Sequence, residues 1–517
     1  MKMNLKLFGY MSILVMGATF ASCGSDTTDT PTPQPVAYTW SKDGAISVCD
    51  HLLFVKDTNY GTNNENDANG SQIGNGEQEF VFKGKQTIKK GTYLLKGWVY
   101  VASGSELTIE PGTVIKGDKD TKAALIVEPG GKLFAQGNAS SPIVFTSEQA
   151  KGQRKPGDWG GIILCGNAKN NQGQIQIEGG PRTKHGGTND ADNSGILSYV
   201  RIEFAGYPFK TDQEINGLTL GSVGSGTQID HIQVSYSNDD SYEWFGGAVN
   251  CKYLIAYKGW DDEFDTDNGF SGHVQYGLSI KDSRIADQSQ SNGFESDNNA
   301  SGSTVDPHTS AVFSNMTFVG PKFVDASFQN TTDYINGGTE YPNNGSSLGK
   351  FQAAMHIRRD SHLNCFNSVA VGYPIGLILD NEKGDTQGAA TAGKLTLNNI
   401  IFAGMDVTGT DYNKIYQNNL VTDYTTKPVT MDTNKASFSS TFFLAQTGCK
   451  ALTNMGDLKL NTTAPFMPQS GSMLLSGASF TNSLLASYFD KVNFIGAFGT
   501  ENWTAGWTNF DPVNADY

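Results

Sequence analysis

Charge is scarce in this chain. Only 17% of the 517 residues are Asp, Glu, Lys or Arg, and acids outnumber bases 52 to 37. The net charge is −15 and no basic stripe runs through the sequence, which excludes a nucleic-acid partner. Proline is held to 17 residues, against 29 Phe, 20 Tyr and 7 Trp available for burial, so this is not the composition of a disordered chain. Cysteine (6) and histidine (7) are few and scattered, with no CxxC or Cys/His zinc spacing. Cys49, Cys165, Cys251, Cys365 and Cys449 read as buried small hydrophobes. A disulfide is the other reading, with Cys49 and Cys449 the least tied to strand patterns. His356 and His362 flank Arg358-Arg359-Asp360 without acids at metal spacing and read as packing or surface histidines. The glycine run 221–226 lies between strands rather than before a helix, so it is not a phosphate cradle.

What the chain has instead is glycine, 60 residues of it, among plentiful Asn, Ser and Thr and short runs of Val and Ile. That is the composition of an all-β protein with many turns. Leu107-Thr-Ile-Glu-Pro-Gly112 and Leu125-Ile-Val-Glu-Pro-Gly130 align at an offset of 18. Each is an alternating strand ending in the Pro-Gly of a type II turn. Leu107, Ile109, Leu125 and Val127 are expected to face one core. Short strands recurring every 18–22 residues or so predict a parallel β-helix, in which each strand pairs with its equivalent one coil on. Residues 36–90 are assigned to an N-terminal cap, 91–404 to the β-helix, and 405–517 to C-terminal coils and a cap. Within that last part, some helix is expected near residues 438–445, and a terminal aromatic strand at 494–498.

The most informative stretch is 231–297. Three turn-like segments share the pattern Asp/Asn, any residue, aromatic, acid: Asp240 to Glu243, Asp262 to Asp265, and Asn292 to Glu295. Their acids Glu243, Asp265 and Glu295 are 22 and 30 residues apart, so they are expected to stack on one edge of the solenoid. Three readings are open. The oxygens of Asp240, Glu243, Asp261, Asp262, Asp265, Asp267, Glu295 and Asp297 suit a divalent cation, with Ca2+ favoured, although residues 261–267 lack the glycine and glutamate placement of an EF-hand. Glu243, Asp265 and Glu295 with Arg358 or Arg359 form the candidate catalytic set of a polysaccharide lyase or glycoside hydrolase. Third, the acids are turn formers, with Tyr242, Phe264 and Phe294 stacked at one corner. Trp244, Trp260 and Arg358 are the candidate ligand-binding residues, the two indoles as sugar-stacking platforms.

The N-terminus opens with a basic stretch, Met1 to Lys6, then an apolar run over 7–21 and Phe20-Ala21-Ser22-Cys23. It resembles a bacterial lipoprotein signal (residues 1–22) cut before a lipidated Cys23. Cleavage removes Lys2 and Lys6 and takes the charge from −15 to −17. A Thr/Pro linker over 23–35 would lift the body off the lipid. The stretch 107–164, the acidic segments, Ala354-Met-His-Ile-Arg-Arg-Asp-Ser361 and the aromatic segment 496–512 together resemble the right-handed parallel β-helix surface lipoproteins of Bacteroidetes, a mostly uncharacterised family. The resemblance implies an outer-membrane, lipid-anchored protein facing the cell exterior. It also implies work beside a nutrient-uptake system such as a TonB-dependent transporter complex. The expected function is binding of an extracellular ligand, a glycan or glycoconjugate. The alternatives are a polysaccharide-degrading enzyme and a structural or adhesive surface protein.

Overall fold

The computed structural model describes residues 39–54, 70–209, 214–336, 349–405, 416–417 and 437–517. The lipoprotein signal, Cys23 and the linker lie outside these residues. The chain winds as a right-handed parallel β-helix. Among the described residues, one sheet has thirteen strands and a second has sixteen, each built from strands that neighbour one another a coil apart. Along both sheets the pairing is parallel from Ser47↔Phe80 to Ala403↔Leu452, except that Leu53–Phe54 pairs antiparallel with Gln72–Ile73. Hydrogen bonds therefore run along the axis, and inward side chains stack into one continuous apolar core. The ends are closed differently. Trp40–Asp43 pairs antiparallel with Ile46–Cys49, and Trp40 packs on Phe54 and Phe80. At the other end the helix Phe438–Ala445, capped by Ser437, stacks Phe443 on Phe402 at 4.4 Å. The expected helix has these bounds. Parallel coiling begins already inside the segment assigned to the N-terminal cap, since Phe80–Phe82 pairs in parallel with both Ile46–Cys49 and Trp98–Val101.

The 18-residue repeat has a different meaning from the one expected. Leu107, Ile109, Leu125 and Val127 all face the core, but they sit in different sheets. Leu107 pairs with Leu133, and Leu125 with Val99, so one coil here takes 26 residues. The two Glu-Pro-Gly segments look alike because two corners use the same turn. Gly112 and Gly130 adopt φ of 78° and 85°, as the third residue of a type II turn must.

From residue 195 onward the second sheet acquires long strands of eight or nine residues, each bent by one left-handed residue. These are Tyr199, His231, Tyr253, Tyr276, Asn315, Asn367 and Asn399, with φ between 49° and 64°. The pairing places them in one row. The rings of the first four stack at 4.2, 4.4 and 4.8 Å, and Asn399 Nδ2 donates to Asn367 Oδ1 at 2.8 Å. Backbone strain of about 1–3 kcal/mol per bulky left-handed residue is offset by this stacking.

The C-terminal segment is not a terminal strand and cap. Residues 494–507 contain no strand. The segment runs back along the outside of the solenoid over that row. Ser479 and Gly477 carbonyls accept from Asn367 and Asn399, Phe494 from Asn315, and Asn509 from Gln233. Tyr517 ends on Glu203. Trp507 is fully buried against Tyr199 and His231. A strand there would have needed a sheet edge, whereas the sheet edges lie at the ends of the solenoid. No disulfide joins the described cysteines, and Cys165, Cys251 and Cys365 are core residues.

Candidate functional site

The three acidic segments are strands, not turns: Tyr242–Phe245, Phe264–Asp267 and Phe294–Ser296 in the thirteen-stranded sheet. Alternation sends Tyr242, Phe264 and Phe294 inward, with ring centroids 5.4 and 6.0 Å apart. It sends the acids outward. Glu243 is in register with Asp265, Asp265 with Glu295, and Glu295 with His356 of Ala353–Ile357. The stacked acidic edge is therefore real, and His356, on the next strand of the same sheet, extends it.

The ladder has two halves. In one, every charge is matched. Arg358 pairs with Glu295 and, at 2.8 Å, with Asp297, which also takes Arg359 at 2.5 Å. His356 lies between Asp380 (3.1 Å) and Glu295 (3.6 Å). Burial alone would raise Glu295, but Arg358 and then His356 outweigh it and hold the carboxyl at about 2. Burial opposes charge on His356 and Arg358 too. Asp380 and Glu295 outweigh it on His356, Glu295 and Asp297 on Arg358, and both pKa values are raised. Arg358 is thereby held charged between Glu295 and Asp297.

The other half carries unmatched negative charge. Oxygens of Asp240, Glu243 and Asp265 lie within 4.8 Å of one another, and so do those of Asp239, Asp240 and Asp261. Burial, then Asp265 and Glu178, push Glu243 well up. Burial, then Glu295 and Asp297, do the same to Asp265. Asp267 is raised to about 8 by burial and Asp297, and Asp261 to about 7 by burial and Asp287. Asn216, 1% exposed, donates Nδ2 to Glu243, while its Oδ1 and Asp265 Oδ1 are buried without a hydrogen bond. Orphaned oxygens of this kind are costly unless a cation or water joins them. Hard carboxylate and amide oxygens at this spacing fit Ca2+.

Some predicted ligands have other work. Asp240 accepts the Asp262 N–H at 2.8 Å, Asp262 accepts the Asn292 N–H, and Asn292 Oδ1 accepts the Ala353 N–H. This row ties each coil to the next, the turn-forming role weighed above. Asp262 thus holds backbone, and Glu295 and Asp297 serve the arginines. Trp244 and Trp260 are 0% and 1% exposed, so neither presents a face to a sugar. Trp244 follows the outward Glu243 and alternation turns it inward, whereas Trp260 lies before the strand Phe264–Asp267 and is buried in a second apolar cluster with Ile280 and Ile285. Sequence reasoning did not single out Asn216, Glu178 and Asp380, none of which belongs to the repeating pattern, and it read His356 as a packing or surface histidine rather than a member of the ladder.

Beside Asp267 lies a cavity of about 400 Å³, lined by Gln172, Gln176, Glu178, Phe245, Asn268 and Asn299 among others. Its walls are two loops that leave the solenoid after Cys165 and after Asp297. Amides and carboxylates at this density suit a ligand rich in hydroxyl groups. The family model for the pectate-lyase-like β-helix domain matches residues 81–442. The chain belongs to that family. No curated protein matches it. A similar solved structure is the Dettilon tailspike protein, 12% identical, with a TM-score of 0.23. The match covers 72% of this chain and 60% of the tailspike chain. The family assignment and the parallel pairing agree on the fold.

Proposed function

We propose that this β-helix protein binds a glycan in the cleft on the outer face of its thirteen-stranded sheet, with Ca2+ held by Asp240, Glu243 and Asp265. The observation that carries this reading is the in-register carboxylate row, uncompensated at Glu243 and Asp265, that runs into a cavity lined by amides. A cation there neutralises the row and gives a sugar hydroxyl or carboxylate an oxygen-seeking partner. The N-terminal sequence supports a lipid anchor at Cys23, on the outer face of the outer membrane, with an uptake transporter such as a TonB-dependent complex as partner. One observation favours a second reading, glycoside hydrolysis: Glu243 is pushed up while Glu295, two strands away, is held at about 2. A carboxylate locked by Arg358 is a weak base, which favours binding over turnover.

The test is a glycan array in 2 mM Ca2+ and in EDTA, followed by incubation with the best ligand. Calcium-dependent retention without new reducing ends or unsaturated products supports the binder. Release of either product replaces it with the enzyme, and no retention on any glycan refutes it. Palmitate labelling lost in Cys23→Ala, and surface protease sensitivity, check the anchor.

A further inference from the structure

A second cluster of metal-ligating groups lies outside the acidic ladder. His308, Asp360 and His362 each present one ligand atom, and all three atoms lie within 4.8 Å of one another. We propose that His308, Asp360 and His362 form a distinct site for a divalent transition-metal ion, for which Zn2+ is the probe. The residues come from two coils. His308 belongs to the loop after Asp297, and Asp360 and His362 to the turn after Ala353–Ile357. That turn is bent by consecutive left-handed residues, Arg359 and Asp360, with φ of 51° and 64°. The bend, with Thr386 Oγ1 accepting the Asp360 N–H at 3.0 Å, turns Asp360 inward, and Asp360 is 6% exposed. His362 is 8% exposed, and its backbone N–H is bonded to the Thr309 carbonyl at 2.8 Å.

Three features point to an ion. His308 Nδ1 bonds Asp306 Oδ1 at 2.6 Å, and its Nε2 lies 3.2 Å from Asp360 Oδ2. With the ring proton on the Asp306 side, Nε2 offers a lone pair to a carboxylate oxygen, so two acceptors face each other. The His308 and His362 rings lie parallel, 4.1 Å apart and 3° from coplanar orientation, and His362 Nε2 is buried with no hydrogen-bond partner. One cation between these atoms satisfies all three. An imidazole pair with one carboxylate selects a borderline transition ion over hard Ca2+. Asp306, exposed and bonded to the far nitrogen of His308, is the outer carboxylate that fixes the tautomer at such sites. Three protein ligands leave a fourth position for water or a ligand atom. The ion would pin the 297–310 loop, one wall of the cavity, to the adjoining coil.

The alternative needs no metal: a doubly protonated His308 clamped between Asp306 and Asp360. Calorimetric titration of the full chain, purified without a polyhistidine tag and stripped with EDTA, separates the two. The proposal expects one equivalent of Zn2+ bound at micromolar or tighter affinity, and a visible Co2+ spectrum on substitution. His308→Ala and His362→Gln should abolish that isotherm, and the exposed Asp306→Asn should weaken it by about 10–100-fold. Asp265→Asn, in the calcium row, should leave it unchanged. No binding tighter than millimolar, or a one-equivalent isotherm that survives in the His308/His362 double variant, overturns the proposal. Because the wild-type titration is itself decisive, a variant that fails to fold does not shield it.

Discussion

The acidic row makes a prediction about pH and calcium together. Asp267 titrates at about 8 and Asp261 at about 7 in the folded chain, against 3.8 for a free aspartate, with burial the first cause in each. Both folded values lie above the unfolded one. The stability they contribute is therefore fully present below pH 3.8 and is lost as pH rises through 7 and 8. For Asp267 alone that loss reaches about 5 kcal/mol by pH 8, at about 1.4 kcal/mol per pH unit, and its partial exposure trims the figure. Unfolding a chain of this size carries an entropy of about 1 kcal/mol/K, so Asp267's share by itself should lower the melting temperature in EDTA by about 5 °C from pH 4 to pH 8, and Asp261 adds to the fall in the same direction. Calcium at a hundred times its Kd returns about 2.7 kcal/mol, or about 3 °C, at pH 8. It should return almost nothing at pH 4, where the carboxyls hold protons. Differential scanning calorimetry in EDTA, CaCl2 and MgCl2 at the two pH values reads this directly. A flat pH profile in EDTA, with a calcium shift below about 0.5 °C at pH 8, would mean that these carboxyls are neither raised by burial nor bound to calcium.

Removing one charge from the middle of the row should help the empty protein: Asp265→Asn should raise the melting temperature in EDTA at pH 8 and lose the calcium shift. Arg358→Met leaves Glu295 and Asp297 without their shared partner and should cost about 3–5 kcal/mol near neutral pH by denaturant unfolding. Because Arg358 holds Glu295 at about 2, that stabilisation is present above the unfolded value of 4.5 and is lost as pH falls through 2, so the penalty should shrink below pH 4. Trp507→Ala should cost about 3–5 kcal/mol where the C-terminal segment crosses the stacked row. Limited proteolysis should then cut within 494–517 before the solenoid melts, and simultaneous loss of both would show that the segment is not a separate strap.

How much of this was legible beforehand depended on whether a feature is local. Alternation of apolar residues, Pro-Gly corners and an acid recurring at coil-length intervals are properties of single strands, and they specified the β-helix and the register of Glu243, Asp265 and Glu295. The helix at 438–445 was readable for the same reason. The offset of 18 between the Glu-Pro-Gly segments misled, because turn chemistry is local while the identity of the corner it serves is not. The fate of each acid was not local either. Glu295 and Glu243 carry the same motif, yet one is neutralised by an arginine 63 residues on and the other faces Asn216 and Glu178 across the cleft. Trp244 is buried and His308 meets His362 because coils stack, and stacking brings together residues from distant parts of the chain. The solenoid and its acidic edge follow from a repeating short-range pattern and can be read along the chain. Which charges are paired and which are left unmatched emerges from the stacking of coils, since Coulomb energy and burial depend on neighbours that no local pattern names.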